Sequence, residues 1–293
     1  MNPRAKKAPF PWFGGKSTVA ADVWQRLGRP KQYIEPFCGS AAILLAAPQP
    51  ASLEVIGDAN CYVANFWRAL KFRPADVTLW QDYPVSHIDL YARHRWLTEP
   101  ARVAELRAKL IDANWPGDAK IAGWWLWGQC CWIGSGWCDP ARGQRGEGHA
   151  VDDTCGQIPH ASDAGRGVQS TTLGKIPHAS NAGRGTQSTS LGKIPHAGDA
   201  GRGAGEWLRA LADRLARVRV VHGDWTRCLN HHYGANETAI FFDPPYLAFE
   251  KLYSDGSAPV AAEVAAWSRE HQHLRIALCG HRGDYDMPGW SVL

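Results

Sequence analysis

Two kinds of apolar pattern alternate at both ends of the chain, and together they predict its fold. Short apolar runs bounded by glycine, proline or polar residues indicate strands buried on both faces. Such runs occur at residues 32–35, 53–57, 219–221, 239–242 and 275–279, and another is expected to begin at Trp290. Helical periodicity predicts helices from Val19, capped by Ser17, and at residues 43–47 and 259–273. The alternation predicts an α/β fold with a doubly wound sheet.

The strand pattern stops near residue 60 and resumes near residue 216. Helices are predicted between these points at residues 64–72, 88–97, 102–114 and 121–132. One more is predicted with an apolar face of Trp207, Leu208, Leu211, Leu215 and Val218. A sheet interrupted once predicts a discontinuous domain, residues 1–60 and 216–293, with a mainly helical and loop-rich insertion at 61–215.

Residues 158–203 of the insertion contain an internal repeat. The same segment begins at Ile158, Ile176 and Ile194, so the period is 18 residues. A unit rich in proline, glycine and serine cannot bury a core by itself, which predicts loop-like or weakly ordered structure. Its basic side chains suit phosphates or guanine edges, and the predicted DNA contacts are Arg166, Lys175, Arg184, Lys193 and Arg202. A duplicated insertion without function is the alternative.

Composition indicates the compartment of the protein. The 293-residue chain has a net charge of +4 and eight cysteines without a regular framework spacing. With no signal-peptide pattern and no apolar run of about 18 residues, we expect a cytoplasmic protein in a reducing environment, without a membrane span. The adjacent residues Cys130 and Cys131 lack the usual spacing of zinc ligands, so no metal is expected.

The loop before the first predicted helix contains Gly14, Gly15, Lys16 and Ser17, and it superficially resembles a phosphate-binding loop. That motif needs another glycine where Phe10 stands, and it needs a preceding strand. The sequence predicts neither, so nucleoside triphosphate binding is rejected.

Asp243, Pro244, Pro245 and Tyr246 follow the apolar run 238–242 and carry the most specific chemistry in the chain. The prolines lack an N–H and have a fixed φ, so the chain stiffens there and cannot continue as a paired strand. An exocyclic amine could donate to the Asp243 carboxylate and the Pro244 carbonyl while Tyr246 stacks on the base. Two acceptors hold the amine lone pair out of conjugation, as methyl transfer to nitrogen requires. A proline-rich turn without chemistry is the alternative.

Two other strand ends carry candidate binding groups. The run 32–35 leads into a turn of small residues, and the run 53–57 leads to Asp58 and Asn60. Ligands of open α/β sheets lie outside the carboxyl ends of the strands, so Asp58 is placed to accept from ribose hydroxyls. A helix cap at Asp58 and tight packing at Gly39 are the structural alternatives.

These motifs resemble, in identity and order, those of the Dam-type (alpha-group) DNA adenine N6-methyltransferases, which include many phage-borne members. The resemblance covers both ends of the chain. It implies that S-adenosylmethionine is bound by Trp12, Gly14, Lys16, Glu35, Pro36, Phe37, Gly39, Ser40, Asp58, Asn60, Asp224, Trp225 and Asp243. It also implies a catalytic tetrapeptide at Asp243, Pro244, Pro245 and Tyr246 and a target-recognition domain in the insertion.

The function implied by the resemblance is site-specific methylation of adenine N6 in double-stranded DNA, by base flipping and direct in-line transfer, in a monomer or weak dimer. Two roles are open for Lys16, a contact to the cofactor and a salt bridge to a carboxylate at the sheet end. Ala41 stands where the family usually has glycine, which puts a need for positive φ there in doubt. The family also usually continues beyond the strand expected at Trp290, whose edge would lack a partner.

The sequence leaves three alternatives to adenine N6 methylation open. An N4-cytosine methyltransferase presents a similar amine to two acceptors, but that class more often has serine where Asp243 stands. A catalytically inactive DNA-binding homologue would fit Ala41 and the absent final hairpin. An RNA substrate is less favoured, since nothing in the sequence resembles an RNA-recognition motif.

Overall fold

A computed structural model of the protein describes residues 7–12, 14–132, 137–138, 203–229, 234, 237–245, 258–281 and 283–292. The predicted site residues that lie outside the described residues are Tyr246, Arg166, Lys175, Arg184, Lys193 and Arg202. The chain divides into two compact units. Met1–Phe13 and Cys61–Ala216 form one, called the helical unit, and Gly14–Asn60 and Arg217–Leu293 form the other, called the sheet unit.

The described part of the chain contains five strands and nine helices. The strands are β1 Gln32–Glu35, β2 Leu53–Asp58, β3 Val218–His222, β4 Thr238–Phe242 and β5 Arg275–Leu278. The helices are α1 Ala20–Leu27, α2 Ala42–Ala46, α3 Cys61–Phe72, α4 Pro74–Gln81, α5 His87–Leu97, α6 Pro100–Ile111, α7 Ala119–Cys131, α8 Gly203–Leu215 and α9 Ala258–Glu270. A short 3₁₀ helix, Trp225–Cys228, follows β3.

All five strands belong to the sheet unit and pair in parallel in the order β3-β2-β1-β4-β5. The order reverses at β1, which pairs with β2 on one side and β4 on the other. Every residue of β4 is buried, as expected for a parallel strand covered on both faces. The predicted α/β Rossmann-like fold is therefore confirmed. Ligands of such sheets lie outside the carboxyl ends of the strands where the order reverses, which here is beside β1.

Helix α1 packs in the sheet unit through an apolar stripe. Its buried side chains are Ala20, Val23, Trp24 and Leu27. The Trp24 indole N–H also donates to the carbonyl of Ile43 in α2 at 2.7 Å. The N-cap residue of α1 is Val19, whose side chain makes no capping hydrogen bond. The prediction that Ser17 caps α1 is therefore wrong.

Helix α3 lies at the centre of the helical unit, and residues 61–70 are all buried. Its Asn65 binds the start of α7, where its amide donates to the Asp118 carbonyl at 3.0 Å and its oxygen accepts from the Asp118 N–H at 2.7 Å. The Asp118 carboxylate then caps α7 by accepting the Ile121 N–H at 2.8 Å. These bonds satisfy a buried amide and fix where α7 begins.

Most predicted elements are confirmed, and the differences have local causes. Val218, predicted on a helix face, instead begins β3. The sequence does not predict α4, because Val77 is its only buried side chain and no apolar stripe results. The strand expected from Trp290 is wrong, since the described residues 290–292 are not in a strand and Val292 is 85% exposed.

Replacing Gly123 should disrupt the close contact between α7 and α4. A Cβ there would lie 2.4 Å from the Trp80 Cβ and 2.9 Å from the Val77 carbonyl oxygen, so the backbone would have to shift. We expect Gly123→Ala to lower the free energy of unfolding by about 1–3 kcal/mol. Urea denaturation followed by circular dichroism measures this loss.

Gly205→Ala in α8 is the matched control, because its added Cβ would meet only the Thr78 side chain, at 3.3 Å or more. This variant should be neutral or more stable, since alanine favours helix over glycine. Equal denaturation midpoints for Gly123→Ala and the unmodified protein would contradict the close contact.

Candidate active site

The carboxyl ends of three adjacent strands bring carboxylates to one edge of the sheet unit. Glu35 ends β1, Asp58 ends β2, and Asp243 follows β4. The strands are parallel, and β1 lies between the other two. Because neighbouring strands are about 4.8 Å apart, the ends of β2 and β4 are about 10 Å apart. This edge is the candidate active site.

Asp58 holds the turn that follows β1. Its carboxylate accepts the backbone N–H of Gly39 at 2.9 Å and that of Asn60 at 2.8 Å, one on each oxygen. Burial raises the pKa of Asp58 from 3.8 to about 6, although both backbone hydrogen bonds oppose the shift. Each carboxylate oxygen has two lone pairs. The ionised side chain therefore keeps acceptor capacity for a ligand with hydroxyl groups.

Ala41 completes the same turn in the left-handed region, with φ 52° and ψ 33°. Its side chain is buried, and its carbonyl accepts the Leu45 N–H at 2.9 Å where α2 begins. A left-handed conformation costs a residue with a Cβ about 1–2 kcal/mol. The sequence-based doubt about positive φ is therefore wrong, because the backbone requires it and alanine bears the strain.

Glu35 also stabilises this turn. Its Oε2 accepts the Tyr33 hydroxyl at 2.9 Å and the Leu44 N–H at 3.0 Å, which connects β1 to α2. The other buried residues of the turn that were predicted to bind cofactor are Pro36, Gly39 and Ser40. Phe37 is half-buried, and its ring centroid lies 6.5 Å from that of Phe242. These hydrogen bonds and the burial of its residues therefore hold the turn in one conformation beside the candidate site.

Lys16 and Asp243 form an ion pair at the end of β4. The Lys16 Nζ lies 2.7 Å from Asp243 Oδ2 and donates to the Gly14 carbonyl, also at 2.7 Å. Their side chains are only 14% and 20% exposed, so salt screens this pair less than a surface pair. Of the two roles open for Lys16, the salt bridge to a sheet-end carboxylate is present.

Cys279 lies next to Asp243 on the neighbouring strand, and the sequence does not predict this arrangement. Phe242 is opposite Leu278 in the β4–β5 register, so the residues that follow them lie side by side. The Cys279 N–H donates to the Phe242 carbonyl at 2.9 Å, which sets Cys279 next to Asp243. Burial and, less strongly, Asp243 raise the pKa of Cys279 to about 12, while Lys16 opposes the shift. The thiol is therefore a protonated donor. Its position at the end of predicted strand 275–279 was the available signal.

Asp224 and Trp225 have different environments at the end of β3. Asp224 is exposed and caps the 3₁₀ helix by accepting the Thr226 N–H at 3.0 Å. Trp225 is buried in the core, where its ring centroid lies 5.7 Å from that of Phe242 and 6.2 Å from that of Trp267. Among the residues that the structure describes, its buried indole N–H has no hydrogen-bond partner. Trp225 therefore fills the core, and Asp224 is the accessible member of the pair.

Trp12 belongs to the helical unit, while the other predicted cofactor residues belong to the sheet unit. Its ring centroid lies 5.8 Å from that of Phe10 and 6.2 Å from that of Trp125. The sheet unit begins at Gly14, which has a φ of 70°. The described contacts of Trp12 are thus packing contacts in an aromatic cluster.

Among the side chains that the structure describes, no group of three or more histidines, cysteines, aspartates or glutamates could hold a metal ion. In that same part of the chain, no helix has both the length and the apolar character needed to cross a membrane.

Residues 12–92 match the model of a known family, D12 class N6 adenine-specific DNA methyltransferase. The match spans 81 of the 293 residues, and over this segment the chain is similar to that family. The matched segment includes Lys16, β1 with its turn, and Asp58, and it ends in α5. This match indicates that the protein is an enzyme of adenine methylation in DNA. Asp243 lies outside the match, and no curated protein matches the chain.

Proposed function

We propose that this methyltransferase transfers a methyl group from S-adenosylmethionine to the N6 of an adenine flipped out of duplex DNA, by direct in-line displacement. The observation that carries the proposal is Asp243. It is a carboxylate at the carboxyl edge of a parallel sheet, paired with Lys16 and followed by two prolines. The family match supports adenine as the acceptor base.

The edge between Asp58 and Asp243 fits the proposed methyl donor. Asp58 would accept from the ribose hydroxyls, and the small residues of the turn after β1 would let the donor approach the backbone. Bound there, S-adenosylmethionine supplies an electrophilic methyl group on a sulfonium centre. Phe37 would face this cation, a contact that contributes roughly 0.5–2 kcal/mol. Asp224 is the accessible acceptor for the adenine end of the donor.

Asp243 and the Pro244 carbonyl would orient the target amine. Each accepts one N–H, so the nitrogen lone pair points toward the methyl group. As the N–C bond forms and the C–S bond breaks, the sulfur keeps the bonding electrons, and Asp243 stabilises the positive charge that develops on nitrogen. Asp243 is also placed to take the proton that nitrogen then loses. Holding both reactants in this geometry makes the largest contribution, because it lowers the activation free energy by up to about 7–11 kcal/mol.

Base flipping is proposed because the stacked duplex hides the amine from the site. Extruding the base costs a few kcal/mol. Stacking of the extruded base on Tyr246 would offset about 1–3 kcal/mol of this cost. The helical unit contains most of the insertion between β2 and β3, and we assign target recognition to this insertion, residues 61–215.

Replacing Asp243 tests the proposed reaction. We expect Asp243→Ala to lower methyl transfer to duplex DNA by more than about 100-fold, because one of two amine acceptors is lost. The donor dissociation constant, measured by calorimetry, should remain within a few-fold of the original. Labelled S-adenosylmethionine measures transfer, and nucleoside analysis identifies the product as N6-methyladenine. Asp22→Ala, at an exposed position of α1, is the matched control, and equal activity of the two variants would contradict the assignment.

The pH dependence of donor binding tests Asp58. The ionised carboxylate is a stronger acceptor for two hydroxyls than the neutral carboxyl, and burial raises the pKa of Asp58 to about 6. Affinity should therefore rise with pH through this value, and the dissociation constant should be about 10-fold higher at pH 5 than at pH 7. Calorimetry at both pH values measures the ratio. Asp58→Asn should bind weakly at both, and a pH-independent affinity in the unmodified enzyme would argue against Asp58 as the ribose acceptor.

Deleting residues 176–193 tests the proposed DNA contacts of the repeats. This unit contains Arg184 and Lys193. Because each phosphate contact contributes about 0.9 to the slope of log affinity against log salt, the slope should fall by up to about 1.8. Fluorescence anisotropy with duplex DNA measures it. The full-length double variant Arg184→Gln, Lys193→Gln should show the same change, whereas unchanged slopes in both would favour an inert insertion.

A further inference from the structure

Two side chains converge on the Asp243 carboxylate from different parts of the sheet unit. Lys16 comes from the loop before α1, and its Nζ lies 2.7 Å from Oδ2. Cys279 comes from the end of β5, where the register with β4 sets it next to Asp243. Asp243 itself is followed by proline. The carboxylate is thus paired with Lys16 and has Cys279 as its neighbour on the adjacent strand.

We propose that Cys279 and Lys16 are positioning residues, which hold the Asp243 carboxylate in the orientation that accepts the target amine. This inference rests on the proposed function and assigns to Cys279 a role that its sequence context does not indicate. A carboxylate offers about four lone-pair positions. It can therefore accept from an ammonium, a thiol and an amine at the same time.

Each partner is itself fixed in place. The Lys16 Nζ also donates to the Gly14 carbonyl at 2.7 Å, and a Cβ at Gly14 would lie 3.3 Å from this nitrogen. The Cys279 backbone is bound to β4 through the Phe242 carbonyl. Because both donors are anchored to backbone, the carboxylate is oriented before any substrate arrives, which is the condition for efficient electrostatic catalysis.

The protonation state of Cys279 suits a donor and not a nucleophile. Burial and the adjacent Asp243 raise the pKa of the thiol to about 12. A thiolate would repel the carboxylate, whereas the neutral thiol donates to it. The thiol therefore contributes a hydrogen bond to the carboxylate across the usual range of assay pH.

Kinetics of Cys279 variants test the positioning role. Cys279→Ala removes the donor, and kcat should fall about 10-fold, because a hydrogen bond to a charged group is stronger than a neutral one. The KM for DNA and the donor dissociation constant should stay within about twofold, as expected when an interaction matters only in the transition state. Cys279→Ser keeps a donor and should restore kcat to within about 3-fold. A kcat for Cys279→Ala equal to that of the unmodified enzyme, or equal losses in both variants, would overturn the role of Cys279.

Lys16 variants distinguish two effects of the ammonium group. It either orients the Asp243 carboxylate or blocks the target amine. If the ammonium orients the carboxylate, Lys16→Met should lower kcat by about 10-fold or more, and Lys16→Arg should retain more activity because it keeps the charge. If the ammonium instead blocked the amine, Lys16→Met would raise kcat or lower the KM for DNA, and the anchoring role would be overturned. Thermal denaturation of each variant confirms that the fold is intact.

A labelling experiment tests the contact without any methyl transfer. Iodoacetamide alkylation of Cys279 at pH 9, followed by mass spectrometry, reports the fraction of thiolate. In Asp243→Asn the rate at Cys279 should rise several-fold, because the negative charge that favours the thiol is gone. Cys130, in the helical unit, is the internal control and should not change. An unchanged rate at Cys279 would overturn the contact itself.

The proposed function and the positioning role are contradicted by different results. Absence of methyl transfer by the unmodified enzyme, or full activity of Asp243→Ala, contradicts the proposed function. A normal kcat in Cys279→Ala and Lys16→Met, in an enzyme that does depend on Asp243, contradicts only the positioning role.

Discussion

Parallel pairing of β1 with β2 on one side and β4 on the other is the constraint on which the rest of the site depends. Ile34 is opposite Val55 in one neighbour and Ile240 in the other. This register puts Asp58 and Asp243 on either side of the turn that Glu35 begins. Side chains alternate between the faces of a strand, so a slip of one residue would turn each carboxylate the other way. The chemistry of the edge is therefore a property of the sheet as well as of the motifs.

The sheet and its carboxylates could be predicted from the sequence because apolar runs buried on both faces are a strong local signal. Asp58 and Asp243 stand directly at the ends of such runs. Their partners could not be predicted in the same way. The position of Cys279 next to Asp243 depends on the register between β4 and β5, which no local pattern specifies. Trp225 shows a related difficulty, since an aromatic residue looks the same in sequence whether it stacks on a ligand or fills the core.

The edge concentrates energetically unfavourable features, and each has a local compensation. Ala41 has a left-handed backbone, and three carboxylates are at least partly buried. Backbone N–H groups bind Asp58, a hydroxyl and an N–H bind Glu35, and an ammonium pairs with Asp243. Strained or desolvated groups persist only where the surrounding structure determines them. The result is a set of acceptors whose directions are fixed by folding.

The separation of β1 from β4 along the chain has a consequence for how the protein is made. The side-chain hydrogen bond between Gln32 and Thr238 joins residues 206 positions apart. At about 5–20 residues per second, a ribosome needs roughly 10–40 s to extend the chain from one to the other. During this interval β1 has no native neighbour on that side, and an open strand edge pairs readily with other chains. The long insertion therefore makes the polypeptide prone to aggregate while it is still being synthesised, before β4 can pair with β1.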